Sequence, residues 1–167
     1  MAKVTSKTKT ETYGTTFHIK SQLRDILQTT LNRPRSTEEW RTQPLNCSLP
    51  IVVTRRASGK TTALAQFVGE RILQLDDSQH VAVLVSTENM GLEFLKNYET
   101  FFPLLRLPII ANALHVNSTL RGFHIVEAYI EEVFSFSEEV LHNACTNFPV
   151  IAGVGTIEQP TTITIQL

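Results

Sequence analysis

This 167-residue sequence has few cysteines and no long apolar run. No stretch approaches the roughly 18 uninterrupted apolar residues that a transmembrane helix needs, and the amino terminus lacks the apolar segment of a secretory signal. The cysteines, Cys47 and Cys145, lie too far apart along the chain to indicate a metal site built on cysteine. These absences predict an intracellular chain with reduced thiols and no membrane partner.

A strong excess of charge of either sign is also absent, although the charge is unevenly spread. The net charge is −1, with eight Lys or Arg and four Asp or Glu in residues 1–41 against seven and twelve in residues 42–167. The larger part therefore lacks the basic surplus of an autonomous nucleic-acid binder. The content of 42% apolar and 19% charged residues is ordinary for a globular domain and excludes a collagen-like, coiled-coil or wholly disordered chain.

The amino-terminal segment is rich in Thr and Lys and has little to bury. It predicts a flexible basic arm over residues 1–20, followed by one domain over residues 21–167. After Ser21 apolar residues recur at helical spacing until Pro34, and the capping-box pattern at residues 36–39 predicts a short helix around Trp40.

Beyond Leu49, short β-branched runs alternate with segments of helical periodicity. The runs predict strands at 50–53, 81–85, 109–116, 123–130, 150–154 and 161–167. The segments between them predict helices at 60–74, around 92–98 and over 138–146. This alternation predicts a three-layer α/β fold in which a mostly parallel sheet of five to six strands lies between helices.

The segment between the first strand and the first core helix carries the residue types of a phosphate-binding loop. Gly59, Lys60 and Thr61 supply a flexible turn, a cation for the β and γ phosphates, and a hydroxyl for Mg²⁺. Thr54 stands where the pattern G-x-x-x-x-G-K-[ST] has its first glycine. The alternative is an ordinary helix start with a solvated Lys60. The predicted nucleotide-binding residues are Arg55, Arg56, Ala57, Ser58, Gly59, Lys60, Thr61 and Thr62.

Paired carboxylates follow the fourth predicted strand, where a P-loop ATPase needs them. Glu131 is the candidate ligand for Mg²⁺ and Glu132 the candidate base that activates water. Glu127 is an alternative metal carboxylate, and an exposed charged turn is the alternative for the whole pair. Arg55 and Arg56 are candidates to stabilise charge that develops on the γ-phosphate, and Arg121 is a candidate to do so across a subunit interface.

The order of these segments resembles the ATPase domain of large terminase subunits, the DNA-packaging motors of tailed phages and herpesviruses. Residues 56–61 are similar to that family's R-x-x-G-K-[ST] loop, and residues 118–122 to its R-G step. Glu131-Glu132 is similar to its acidic pair. Residues 150–156 resemble the strand that couples hydrolysis to motion. The resemblance covers roughly residues 49–160.

That resemblance implies a RecA-like P-loop NTPase that hydrolyses ATP with Mg²⁺. It implies that Glu132, Arg56 and Thr156 are catalytic, with Thr156 sensing the γ-phosphate. The implied partner is double-stranded DNA, reached through a homo-oligomeric ring or a viral packaging or capsid protein in the host cytoplasm or nucleus. Two alternatives stay open: an assembly protein with a degenerate P-loop, and a small P-loop kinase.

Overall fold

A computed structural model describes residues 2–31, 48–156 and 161–166, with side chains for residues 15–31 and for 49–156 apart from Ala113. Pro34, the short helix predicted around Trp40, and Cys47 lie outside these ranges. Within them, no helix combines the length and the hydropathy that crossing a membrane requires.

Six strands form a single sheet. They are β1 (Ser48–Thr54), β2 (His80–Val85), β3 (Ile109–Asn112), β4 (Ile125–Ile130), β5 (Val150–Thr156) and β6 (Thr161–Gln166). Their order across the sheet is β3-β2-β4-β5-β1-β6. The strands β1 to β5 pair in parallel, and β6 pairs antiparallel with β1 at the edge.

Helices cover both faces of the sheet. The helices are α1 (Ala2–Leu31), α2 (Lys60–Ile72), α3 (Glu88–Phe101), α4 (Val116–Leu120) and α5 (Glu138–Asn147). Buried residues of α1, α2 and α3 form one apolar cluster with one face of the strands, and those of α4 and α5 form a second cluster with the other face. In β1, β2 and β4 neighbouring buried residues alternate between the two clusters, as the pleat requires. The predicted three-layer α/β fold is therefore confirmed.

The strand register brings three chain segments together at one edge of the sheet. Thr54 at the end of β1 pairs with Thr156 at the end of β5, and Ile130 at the end of β4 pairs with Gly153. Because the strands are parallel, the carboxyl ends of β1, β4 and β5 all lie at this edge. Strand β5 lies between the other two.

Two predicted strands are longer than the observed ones. The third ends at Asn112 instead of continuing to residue 116, and a 3₁₀ turn (Ala113–His115) and α4 follow it. The side chain of Asn112 accepts a hydrogen bond from the Leu114 N–H at 3.1 Å, which competes with further strand pairing. The fourth begins at Ile125 rather than residue 123, after a turn in which Gly122 has a φ of 87°.

Helix α1 runs from residue 2 across residue 20, where the sequence predicts the boundary between arm and domain. Ile19, Leu23 and Leu27 are spaced by four and are all buried against the sheet and α2. Lys20 forms an ion pair with Glu70 of α2, and Arg24 reaches the other oxygen of that carboxylate at 2.9 Å. Burial raises the pKa of Glu70, but these two cations outweigh it and leave the pKa lowered. The end of the predicted arm is thus part of the packed domain.

Candidate functional site

The loop between β1 and α2, residues 55–59, lies at the carboxyl edge of the sheet. Ala57 and Gly59 both have left-handed backbone conformations, with φ of 56° and 80°. The N-cap of α2 is Gly59, which has no side chain to cap the N–H groups of the first turn. Such a run of backbone N–H groups at a helix start is suited to bind an anion.

Thr54, the departure from the glycine pattern, closes this loop with its side chain. It is 3% exposed, and its hydroxyl lies 2.6 Å from the hydroxyl of Ser58. A glycine could not make that contact. The contact between the Thr54 and Ser58 hydroxyls therefore stabilises the loop at the position where the common pattern has its first glycine.

The two carboxylates that follow β4 meet the first two residues of α2. The Thr61 hydroxyl donates to Glu131 Oε1 at 2.6 Å, and Lys60 Nζ lies 3.0 Å from Glu132 Oε2. These contacts join residues about 70 positions apart in sequence. The structure thus brings together four residues that the sequence analysis singled out on separate grounds.

Glu132 is also held from the side of β5. Thr156 donates its backbone N–H to Glu132 Oε1 at 3.0 Å and its hydroxyl to Oε2 at 2.8 Å. The backbone of Glu132 is left-handed, with a φ of 56° and a ψ of 67°, a conformation that costs roughly 1–2 kcal/mol in a residue with a Cβ. Thr156 therefore contacts the candidate base in this structure, whereas it was predicted to sense the γ-phosphate.

Two glycines of β5 allow the chain after Glu132 to pack closely. A Cβ on Gly153 would lie 2.1 Å from a methyl group of Val133, and one on Gly155 would lie 2.6 Å from the ring of Phe134. Val133 is fully buried and begins a 3₁₀ turn, Val133–Ser135. The turn that carries Glu132 is thus seated against β5.

Glu131 is buried in a way that is unusual for a carboxylate. The residue is 3% exposed, and within the described residues its Oε2 has no hydrogen-bond partner. Burial raises the pKa of this carboxyl group, and the nearby charges of Glu132 and Glu93 raise it further, against the lowering effects of Thr61 and Lys60. An unsatisfied buried carboxylate oxygen beside a threonine hydroxyl is a donor set that fits a hard divalent cation.

Glu127, the alternative metal carboxylate, is engaged elsewhere. Arg71 of α2 binds it with Nε at 3.1 Å and Nη2 at 2.6 Å, and the Tyr129 hydroxyl donates to it at 2.8 Å. Its carboxylate raises the pKa of Arg71, and burial raises the pKa of Tyr129 well above the usual value. Of the two carboxylates, only Glu131 contacts the loop and α2 residues predicted to bind nucleotide.

The three candidate arginines lie in different places. Arg55 and Arg56 are exposed in the loop next to Lys60. Arg121 precedes β4, a strand of six residues, and so lies at the amino edge of the sheet, on the order of 20 Å from the loop. The structure therefore separates Arg121 from the site of its own chain.

Asn97 of α3 is a neighbour of the site that the sequence analysis missed. It accepts a hydrogen bond from the Thr62 hydroxyl at 3.0 Å and donates its own amide to the Glu93 carbonyl at 3.0 Å. In the sequence, the i, i+4 spacing of Glu93 and Asn97 indicates that these two residues share one face of a helix. Only the packing of α3 against α2 shows that this face meets Thr62 in the first turn of α2.

Comparisons of the sequence with known proteins identify no family for this chain. No protein-family model matches the sequence, and no curated protein matches it.

Proposed function

We propose that this chain is a Mg²⁺-dependent P-loop NTPase that binds and hydrolyses ATP at the carboxyl edge of its sheet. The observation that carries the proposal is the paired contact of Lys60 with Glu132 and of Thr61 with Glu131. A phosphate-binding lysine, a hydroxyl and two carboxylates are the groups that phosphoryl transfer to water requires in one place. Any one of these groups alone would not indicate an NTPase site.

The donor set for the cation consists of the Thr61 hydroxyl and the Glu131 carboxylate. Within the described residues no group of three His, Cys, Asp or Glu side chains forms a dedicated metal cage. Mg²⁺ is commonly held by one or two protein ligands, with phosphate oxygens and water completing its shell. When bound, the ion neutralises charge on the β and γ phosphates. The unpartnered Oε2 of Glu131 supports this placement.

Each remaining residue of the site has a distinct role in the proposal. Lys60 and the N–H groups of the loop bind the phosphates, and Arg55 and Arg56 approach them from the exposed side. Glu132 accepts the proton of the attacking water, a step that typically contributes 10²–10⁴-fold to rate. Thr156 orients the Glu132 carboxylate through two hydrogen bonds, so it is a positioning residue for the base.

A narrower proposal concerns the biological task. The order of motifs along the chain supports a role like that of a terminase ATPase, with double-stranded DNA as partner through a ring or a second protein. The assembly-protein alternative requires the same fold without nucleotide binding, and a binding titration separates the two.

The kinase alternative loses support from the placement of two arginines. A small-molecule kinase needs cations over the acceptor, and residues 100–125 contain only Arg106 and Arg121. Arg106 donates to the carbonyls of Asp76, Asp77 and Gln79, away from the carboxyl edge. Arg121 lies at the opposite edge of the sheet.

The proposal is tested by titration calorimetry of the full chain with ATP, with and without Mg²⁺. Lys60→Ala should lose at least roughly 1.5–3 kcal/mol of binding free energy because charge-assisted contacts are lost, while circular dichroism stays native. Lys96→Ala, an exposed lysine of α3, is the matched control and should bind normally. Unchanged ATP affinity in a folded Lys60→Ala chain would remove the nucleotide site.

Hydrolysis is tested separately from binding. Glu132→Gln should still bind ATP with Mg²⁺ and hydrolyse it at least about 10²-fold more slowly, because the base is lost. The control is Glu139→Gln, an exposed residue of α5. Equal rates in Glu132→Gln and the unmodified chain would refute Glu132 as the base.

A further inference from the structure

The phosphate-binding lysine of this site already has an anionic partner. Lys60 Nζ lies 3.0 Å from Glu132 Oε2, and both side chains are largely buried, at 16% and 22% exposed. A nucleotide needs that same ammonium for its β and γ phosphates. Carboxylate and phosphate therefore compete for one cation.

Glu132 is fixed in this competing position by more than Lys60. Three groups hold its carboxylate: the N–H and the hydroxyl of Thr156 and the ammonium of Lys60. Its left-handed backbone, at φ 56°, is a conformation that persists only where surrounding contacts enforce it. The buried Val133 that follows, seated over Gly153, is one such contact.

We infer that Glu132 acts as an internal competitor of nucleotide, a built-in lock that occupies Lys60 until the phosphates displace it. The inference rests on the proposed function and extends it to the regulation of the same site. Thr156 is the residue that holds the lock. When the phosphates take Lys60, Glu132 loses its ion-pair partner but keeps its two hydrogen bonds from Thr156, so its carboxylate becomes available to the attacking water.

The lock has a quantitative consequence for affinity. The apparent Kd of a site is its intrinsic Kd divided by the fraction of molecules in the competent form. If the locked form is favoured about 10:1, removing the Glu132 charge should tighten nucleotide binding about 10-fold. A gain of affinity on altering a site residue is the opposite of what damage to the site produces.

The experiment measures the Kd of MgADP, which is not consumed, for the full chain and four variants. Glu132→Gln keeps the shape of the side chain but removes its charge, and should bind MgADP about 10-fold more tightly. Glu93→Gln removes an exposed carboxylate whose charge also reaches this site, and serves as the control for general electrostatics. Its affinity should change less than about 2-fold, because exposed charges are screened.

Thr156 provides a second, independent comparison. Thr156→Val removes one of the bonds that hold Glu132 and should tighten MgADP binding, whereas Thr156→Ser retains the hydroxyl and should not. The gain in Glu132→Gln should also vanish for the nucleoside monophosphate, which has no β-phosphate to reach Lys60.

The outcomes separate this inference from the proposed function. Equal MgADP affinity in the unmodified chain, Glu132→Gln and Glu93→Gln would overturn the lock and leave the nucleotide site standing. An equal gain in MgADP affinity in Glu132→Gln and Glu93→Gln would show a general electrostatic effect, and it would also overturn the lock. Failure of every variant to bind MgADP would overturn both. Binding by Glu132→Gln with none by the unmodified chain would establish a strong lock.

Discussion

Glu127 and Glu131 are both almost fully buried, yet their carboxylates are stabilised very differently. Glu127 receives a forked pair of bonds from Arg71 and a hydroxyl from Tyr129. Glu131 receives one hydroxyl, from Thr61, and keeps an unpartnered oxygen. A satisfied buried ion pair is a structural element, whereas an unsatisfied buried carboxylate marks a place where a ligand is expected.

This difference predicts that Glu131→Gln stabilises the protein when nucleotide and Mg²⁺ are absent. The raised pKa of Glu131 means that the folded chain holds a proton that the unfolded chain has released, so stability falls as the pH rises through the interval between the two pKa values. The side chain of Glu131→Gln does not titrate, so the stability of this variant does not fall in this way as the pH rises. Its free energy of unfolding in urea should exceed that of the unmodified chain near pH 8.

The pH dependence provides the check on this prediction. The advantage of Glu131→Gln should shrink as the pH falls towards about 4, where both states of the unmodified chain hold the proton. The same variant should lose the Mg²⁺ dependence of ATP binding. A stability difference that is independent of pH would contradict burial of the charge as its cause.

At the scale of elements, close packing of the turn after β4 against β5 determines where Glu132 lies. The turn can approach because two positions of β5 are glycine, under Val133 and Phe134. An added methyl group at Gly153 would meet a buried branched side chain that has little room to move.

Gly153→Ala is therefore expected to destabilise the fold by about 1–3 kcal/mol through overpacking and to weaken MgATP hydrolysis by displacing Glu132. Adding Val133→Ala in the same chain removes the clashing methyl groups and should recover part of both losses. Urea denaturation and ATPase rates of the single and double variants measure this coupling. Strictly additive effects would show that the two residues do not compete for the same space.

The amino-terminal helix α1 is a second element whose place is decided by packing. Leu23→Ala should lower the free energy of unfolding by about 2–5 kcal/mol, because Leu23 is fully buried in the cluster with α2. Phe17→Ala, on the exposed side of the same helix at 68% exposure, should change it by less than about 0.5 kcal/mol. Similar small effects of both substitutions would place α1 outside the cooperative unit.

At the scale of the whole molecule, five of the basic side chains that the structure describes are committed to contacts within the chain. Lys20 and Arg24 bind Glu70, Arg71 binds Glu127, Lys60 binds Glu132, and Arg106 binds carbonyl groups. Residues 42–167 also carry twelve acidic against seven basic residues. This excess of carboxylates in residues 42–167 opposes contact with the phosphates of DNA.

We therefore expect the isolated chain to bind double-stranded DNA weakly and with a small salt dependence. The remaining cations of the predicted arm are Lys3, Lys7 and Lys9, since Lys20 is paired. Replacing the three with Gln should reduce the slope of log K against log salt by about 0.9 for each lysine that contacts a phosphate.

The ATPase rate at low salt, with and without DNA, provides the functional measurement. DNA stimulation should appear only with a partner or an assembled ring. Strong stimulation that survives the triple Gln substitution would show that the acidic part of the chain binds DNA itself. No stimulation under any assembly condition, despite nucleotide binding, would favour the assembly-protein alternative.

Sequence alone was sufficient for the fold class and for most elements, because apolar periodicity and turn residues act locally. The runs at 81–85 and 161–167 correspond to β2 and β6, and the alternation of strands and helices predicted the parallel sheet. The same patterns did not predict where two of the elements begin or end. The Asn112 side chain ends β3 early, and the apolar spacing of α1 continues across residue 20.

Sequence also singled out Lys60, Thr61, Glu131 and Glu132, because each residue type is adjacent to a strand end, where parallel sheets place their sites. Sequence could not choose between Glu127 and Glu131, since both are buried glutamates of one strand region and only packing supplies Arg71 to one and Thr61 to the other. Nor could it show that Glu132 lies against Lys60 and Thr156. Those contacts join residues distant along the chain, and only the register of β1, β4 and β5 brings them within hydrogen-bonding distance.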